Sequence, residues 1–226
     1  MKILVSGSFQ CGKSTFVRAL DKKALNIMTH DKSGKKCTIA MDIGSFIYEG
    51  INISLFGTPG LLRFETIRSI VSEGSDGVIF IFDGSNPDND DAALRILNDL
   101  KRLLPQNTPI VYAINKIDAE NCRTSDIVKS QNYLPNDATI FEMSALKGIN
   151  ILKPVEELIS LIKSSLAPVI RELEKYGENP LGLKNALNKS AEKIMEFLNA
   201  MELRGIISID RQNMTFSMEE KAKFFT

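Results

Sequence analysis

Lys2-Ile3-Leu4-Val5-Ser6-Gly7-Ser8-Phe9-Gln10-Cys11-Gly12-Lys13-Ser14-Thr15-Phe16-Val17-Arg18-Ala19-Leu20 reads as an apolar strand, a glycine loop and a helix in one continuous run. Gly7 to Ser14 match G-x-x-x-x-G-K-[ST] at every specified position, and the flanking strand and helix are the context this pattern requires. A plain glycine turn between a strand and a helix is the competing reading, and the complete match disfavours it. In such a loop successive backbone N–H groups converge on phosphate oxygens, and the helix N-terminus adds the positive end of its dipole. The expected phosphate-contacting residues are therefore Gly7, Phe9, Gln10, Cys11, Gly12, Lys13, Ser14 and Thr15. Lys13 reaches the outer phosphates in this scheme, and the Ser14 hydroxyl ligates Mg²⁺.

A second motif, Asn115-Lys116-Ile117-Asp118, follows the apolar run Pro109-Ile110-Val111-Tyr112-Ala113-Ile114 and so lies where a strand ends in a loop. Ligands of open α/β sheets gather at the carboxyl ends of strands. A carboxylate at Asp118 can accept two hydrogen bonds from the ring N–H and exocyclic amine of guanine. Adenine lacks that donor pair and would leave the carboxylate unsatisfied, a cost of roughly 1–3 kcal/mol or more. Asn115 is expected to brace the glycine loop, and the Lys116 stem to cover one face of the base. GTP is favoured over ATP.

Composition agrees with an enzyme of this kind. The 226 residues suffice for one α/β domain and a small appendage. Lysine plus arginine equals aspartate plus glutamate at 28 each, so no global charge points to nucleic acid or an anionic surface. Cys11, Cys37 and Cys122 contain no C-x-x-C pair and read as reduced thiols. With strand one starting almost at once, with no apolar run of about 20 residues and no prenylation box at Lys223-Phe224-Phe225-Thr226, a soluble cytoplasmic chain with no membrane anchor is expected.

Strand and helix signals alternate along the chain. Ile39 to Tyr48 and Ile51 to Phe56 flank the hairpin signal Glu49-Gly50. Val78 to Asp83 is a fourth strand. A helix from Asp91 to about Leu104 carries Ala93, Leu97, Leu100 and Leu104 at helical spacing. Thr139 to Glu142 is a sixth strand leading to Met143-Ser144-Ala145-Leu146, and a further helix runs from about Ile149 to Ser164, with Pro154 confined to its first turn. The expected fold is α/β: a mostly parallel six-stranded sheet flanked by helices over residues 1–165. A C-terminal appendage of helices and a β-hairpin follows over residues 166–226.

This order of motifs resembles the Ras-like small GTPases of the P-loop superfamily, over about residues 1–165. The resemblance implies a GTP/GDP switch with Mg²⁺, in which Thr38 binds the metal and the γ-phosphate and Gly60 offers its N–H to that phosphate. Lys13, Thr38 and Gly60 form the implied catalytic set. Ser144, Ala145 and Leu146 support the base through a backbone N–H. Thr38-Ile39-Ala40-Met41-Asp42-Ile43-Gly44 together with Phe56-Gly57-Thr58-Pro59-Gly60 is similar to a prokaryotic group of small GTPases that shares both variant motifs.

Three residues depart from the Ras-like pattern. Gly57 stands where D-x-x-G carries its aspartate, Leu61 replaces the glutamine that orients the attacking water, and Phe9 occupies a loop position that is usually small. Leucine can neither donate to a water nor accept from one, so slow intrinsic hydrolysis is expected. A scaffold permanently loaded with GTP is the alternative. If Glu49-Gly50 is a two-residue turn, Asp42 lies directly opposite Gly57, with Cβ atoms about 4.5–5.5 Å apart on one face. Its carboxylate then stands in for the missing one and holds Mg²⁺ through a bound water. A one-residue slip would instead make it an exposed strand residue.

Two segments, Asn26 to Lys36 and Thr58 to Ser72, are expected to order around the γ-phosphate and to meet an activator, exchange factor or effector. Beyond residue 165 the resemblance stops. Leu166 to Tyr176 and Leu181 to Leu187 read as helices, Ser190 caps a longer one ending at Arg204-Gly205, and Ile206 to Phe216 reads as a hairpin. That order is similar to a winged helix, but from Ser165 onward nine basic residues face nine acidic ones. Nucleic acid is therefore not expected as a partner, and protein interaction or dimerisation is.

Overall fold

The structure, a computed structural model, describes residues 1–26, 29–30, 36–37, 41–176 and 180–226. Thr38 and most of the 26–36 segment lie outside the described residues. The elements in order are β1 (Lys2–Gly7), α1 (Lys13–Leu20), β2 (Leu25–Asn26), β3 (Thr29–His30), β4 (Lys36–Cys37), β5 (Asp42–Tyr48) and β6 (Ile51–Gly57). Next come α2 (Glu65–Ser72), β7 (Gly77–Asp83), α3 (Asp90–Leu103), β8 (Ile110–Asn115), α4 (Ser125–Gln131), β9 (Ile140–Glu142) and α5 (Lys153–Tyr176). The C-terminal elements are α6 (Pro180–Leu187), α7 (Ala191–Leu203), β10 (Ile207–Asp210) and β11 (Thr215–Met218).

The main sheet has the order β2-β5-β6-β1-β7-β8-β9, seven strands where six were expected. The extra strand is β2, whose two residues pair antiparallel with Ile43 and Asp42 and are too few to show alternation in a sequence. Five strands run parallel, from β6 to β9, and β5 joins them antiparallel through the Glu49-Gly50 turn. Both turn residues have positive φ, 46° and 81°, as a two-residue hairpin turn demands. The β5–β6 register pairs Tyr48 with Ile51 and Asp42 with Gly57, as the turn implied. Among the described residues the strand begins at Asp42; Met41 belongs to no strand, and residues 38–40 lie outside the described residues.

Every residue of β7 is buried, as expected of a central strand covered on both faces. Leu4, Phe80, Phe82, Ile96, Leu97 and Leu100 share one core cluster, each worth roughly 1.5–3 kcal/mol of transfer free energy. Helix α3 turns Ala93, Ile96, Leu97 and Leu100 into that core, with Asp90 and Asp91 in its first turn and Lys101 and Arg102 in its last. Those charges complement the helix dipole.

The chain divides into two compact units, Met1–Ile159 and Ser160–Thr226. The break falls inside α5, one unbroken helix where two were expected, with Pro168 in its interior. Val155, Leu158, Ile159, Ile162, Ile170 and Leu173 are buried and keep helical spacing along it, and this periodicity outweighs the backbone bond that a proline forgoes. The helix starts at Lys153 rather than Ile149, which is held in a bridge to Ser144. In the second unit Leu183, Ile194, Leu198, Ile207 and Phe216 are buried, and Ser190 caps α7 by accepting from the Lys193 N–H at 3.3 Å. The β10–β11 hairpin pairs Ile207 with Met218 and Asp210 with Thr215.

Candidate functional site

Strand β1 lies between β6 and β7, so its carboxyl end opens onto the middle of the sheet edge where the chain turns into α1. Gly12 sits at that turn with φ 102°, and a Cβ on it would lie 2.0 Å from the Asn115 side-chain nitrogen. Only glycine fits. Lys13 is 8% exposed, and its ammonium donates to the carbonyls of Gly7 at 3.1 Å and Ser8 at 2.6 Å. Asn115, at the end of β8, is buried. Its amide donates to the Cys11 carbonyl at 2.9 Å, while its oxygen accepts the Ala145 N–H at 2.8 Å. One side chain thus ties the glycine loop to the Ser144-Ala145-Leu146 loop.

Asp118 is exposed, and the Ser144 hydroxyl bonded to it holds its carboxyl below the ordinary range. Lys116 has φ 71° and pairs with Asp83 at 2.6 Å. Asp83 ends β7 directly beside Asn115. Arg123 stabilises that strand end by donating to the Asp83 carbonyl at 2.7 Å while pairing with Asp90 at 2.5 Å. The Ile117 N–H donates to the Met143 carbonyl at 3.3 Å, which joins the two loops a second time. The Ala145 N–H is engaged by Asn115; the next residue, Leu146, is exposed.

At the opposite end of the glycine loop, Asp42 is 3% exposed. The Ser14 hydroxyl donates to one of its carboxylate oxygens at 2.6 Å, and the Asn26 amide donates to the other. A Cβ on Gly57 would stand 2.9 Å from that first oxygen, so the glycine that replaces the expected aspartate also makes the room Asp42 occupies. The register excludes the exposed-strand alternative for Asp42. Ser14, Asp42, Lys13, Thr15, Phe9, Gln10, Thr58, Pro59 and Gly60 line one cleft of about 290 Å³. Thr58 is buried, its hydroxyl donating to Ser6 at 2.7 Å. Phe9 is 39% exposed, and Leu61 is half-buried.

A hydroxyl and a buried carboxylate beside a phosphate loop are oxygen donors suited to Mg²⁺, which commonly takes one or two carboxylates and completes its shell with water and phosphate. Among the described residues no cluster of three or more His, Cys, Asp or Glu forms an all-protein metal cage. The donor set fits Mg²⁺ bound together with a phosphate ligand.

The structure therefore gathers Phe9, Gln10, Gly12, Lys13, Ser14, Thr15, Asp42 and Gly60 around one cleft. Asn115 ties the glycine loop to the Ser144-Ala145-Leu146 loop, with Lys116 and Asp118 following it in sequence. Thr38 lies outside the described residues. The sequence reading missed Asn26, Arg68, Asp83 and Arg123. Arg68 had a signal: a cation three residues before Val71 on the face of α2 that turns inward.

Comparison with known proteins gives a consistent picture. The model of the Ras family matches residues 2–164. The mouse Ras-related protein Rab-7b is 34% identical over 114 residues, 49% of this chain and 57% of that one. The uncharacterized protein MJ1339 of Methanocaldococcus jannaschii is 30% identical over 129 residues, 56% of this chain and 77% of its own length. The GTPase Era of Rickettsia bellii is 28% identical over 191 residues, 80% of this chain and 61% of that protein.

Proposed function

The chain belongs to the Ras family of small GTPases, and from that premise we propose that it is a Mg²⁺-dependent GTP/GDP switch with slow intrinsic hydrolysis of GTP to GDP and phosphate. The carrying observation is the 2.6 Å bond between Ser14 and Asp42. Loss of the aspartate at position 57 would otherwise leave the metal-facing side of the cleft without a carboxylate. Asp42 supplies one from the neighbouring strand, paired in register with Gly57.

In this reading the N–H groups of the glycine loop and the Lys13 ammonium bind the phosphates. Ser14 and Thr38 would hold Mg²⁺, with Asp42 reaching it through a water, and bound Mg²⁺ would supply neutralisation of phosphate charge. Asp118, held ionised by Ser144, selects guanine. With the Ala145 N–H committed to Asn115, the Leu146 N–H is the one assigned to the base. Regulators or effectors engage the 26–36 and 58–72 segments, and in the latter Leu62 and Ile70 are exposed whereas Arg68 and Val71 are not. Residues 166–226 serve protein contact or dimerisation, with a winged-helix-like order of elements. Among the described residues no helix is long and apolar enough to cross a membrane.

Leu61 and Phe9 favour a second reading, a GTP-loaded scaffold acting through its C-terminal unit. Single-turnover GTP hydrolysis by purified protein in Mg²⁺ separates the two. Slow but measurable GDP formation is expected, rising by about 10² in Leu61→Gln if a side chain that orients water is what the site lacks. Bound GTP that stays intact over hours in both proteins supports the scaffold. A wild-type rate equal to that of glutamine-bearing relatives contradicts the assignment of slow hydrolysis to Leu61.

A further inference from the structure

Helix α2 places a guanidinium where a core side chain is expected. Arg68 is 0% exposed, the first among the largest fully buried side chains. One of its terminal nitrogens, Nη1, donates to the Pro59 carbonyl at 3.3 Å and the Leu61 carbonyl at 2.7 Å. The other, Nη2, donates to the Leu62 carbonyl at 3.1 Å and faces Asp99 of α3 at 3.5 Å. A charge buried this deeply is tolerated only when paired and hydrogen-bonded, and a lysine could not serve these acceptors in the same planar arrangement.

The acceptors have a common centre. Pro59 and Leu61 flank Gly60, which packs closely on the glycine loop: a Cβ on it would lie 2.7 Å from the Lys13 ammonium, the Phe9 nitrogen and the Ser8 carbonyl carbon. The Pro59–Gly60 peptide is trans, so its carbonyl and its N–H point in opposite directions. Fixing the Pro59 oxygen on Arg68 turns the Gly60 N–H away from the guanidinium. Leu61, which lacks a polar side chain, is likewise held by its backbone.

We infer that Arg68 is a positioning residue for recognition of the third phosphate: by gripping the Pro59 and Leu61 carbonyls it aims the Gly60 N–H into the cleft beside Lys13, and so sets how much that phosphate adds to nucleotide affinity. This rests on the switch reading above. Arg68 touches no phosphate itself. Its effect reaches the nucleotide through Gly60 alone, so GDP binding is independent of it. A group that merely stabilises α2 would affect both nucleotides alike.

The test is the affinity of the full chain, in Mg²⁺, for GDP and for a slowly hydrolysed GTP analogue, in wild type, Arg68→Gln and Arg68→Lys. Arg68→Gln is expected to weaken the analogue about tenfold or more while GDP affinity stays within about twofold, as for loss of one charge-assisted hydrogen-bond arrangement. Arg68→Lys should show the same selectivity at smaller size, and it carries the test alone if the glutamine variant does not fold. Equal loss for both nucleotides, or loss for neither, overturns the proposal. Failure of the wild-type protein to bind GDP at all overturns the switch reading itself, and the proposal with it.

Discussion

Replacing Asp118 by alanine is expected to weaken GTP binding by about 10²–10⁴-fold and to abolish discrimination against ATP, with little change in thermal stability. The carboxylate is exposed and contributes to the fold chiefly through its bond to Ser144, so its loss is felt by the ligand. The size follows from the proposed contact with guanine. A carboxylate facing two guanine donors makes charge-assisted bonds to both, and a base lacking them strands the charge. Because the Ser144 hydroxyl favours the ionised form, the clamp stays charged to lower pH than a free carboxylate, and guanine selection should fade only as pH falls through its lowered range. Titration of wild-type and variant protein with GTP and ATP at neutral pH checks this. An unchanged GTP affinity would remove Asp118 from the site.

Gly12→Ala has the second large effect, and here stability and binding fall together. The backbone at φ 102° disfavours any side chain, and the new methyl would sit 2.0 Å from the Asn115 nitrogen that donates to Cys11. Strain of roughly 1–3 kcal/mol adds to the loss of a buried hydrogen bond and the stranding of its partners, another 1–3 kcal/mol or so. The same displacement frees Asn115 from the Cys11 carbonyl, so the glycine loop and the base loop lose their common brace. Gly50→Ala is the matched control. It also has positive φ, 81°, but a Cβ there meets nothing within 4 Å. Only the backbone penalty of about 1–2 kcal/mol remains, and nucleotide affinity should be untouched. Thermal melts and GTP titrations of both variants test the contrast; similar behaviour of the two would show that Asn115 is not the brace.

The strand, loop and helix around Gly7 to Ser14 and the strand end at Asn115 were legible because the residues that fix them are local. A phosphate loop needs its glycines and lysine within a few residues of one another, and a guanine clamp needs its carboxylate just past a strand. The placement of Asp42 opposite Gly57 was legible too, because a two-residue turn at Glu49-Gly50 propagates its register along the hairpin. What depends on distant partners was not. Arg68 acquires its role from carbonyls six to nine residues back and from Asp99 on another helix, none of which periodicity reveals. Arg123 reaches back to Asp83 and Asp90 in the same way. Strand β2 is too short to carry a pattern, and the two helices expected to either side of residue 165 are one, with Ile162, Ile170 and Leu173 buried along it.

The measurement that bears most directly on the relocated carboxylate is the Mg²⁺ dependence of GTP affinity in wild type and Asp42→Ala. Wild-type protein is expected to bind GTP more tightly as Mg²⁺ is added, and Asp42→Ala to lose most of that gain, about tenfold or more, while its affinity in the absence of Mg²⁺ changes little. If Asp42→Ala keeps the full Mg²⁺-dependent gain, the carboxylate opposite Gly57 does not replace the missing aspartate, and the account of this cleft as a repaired Mg²⁺ site is wrong.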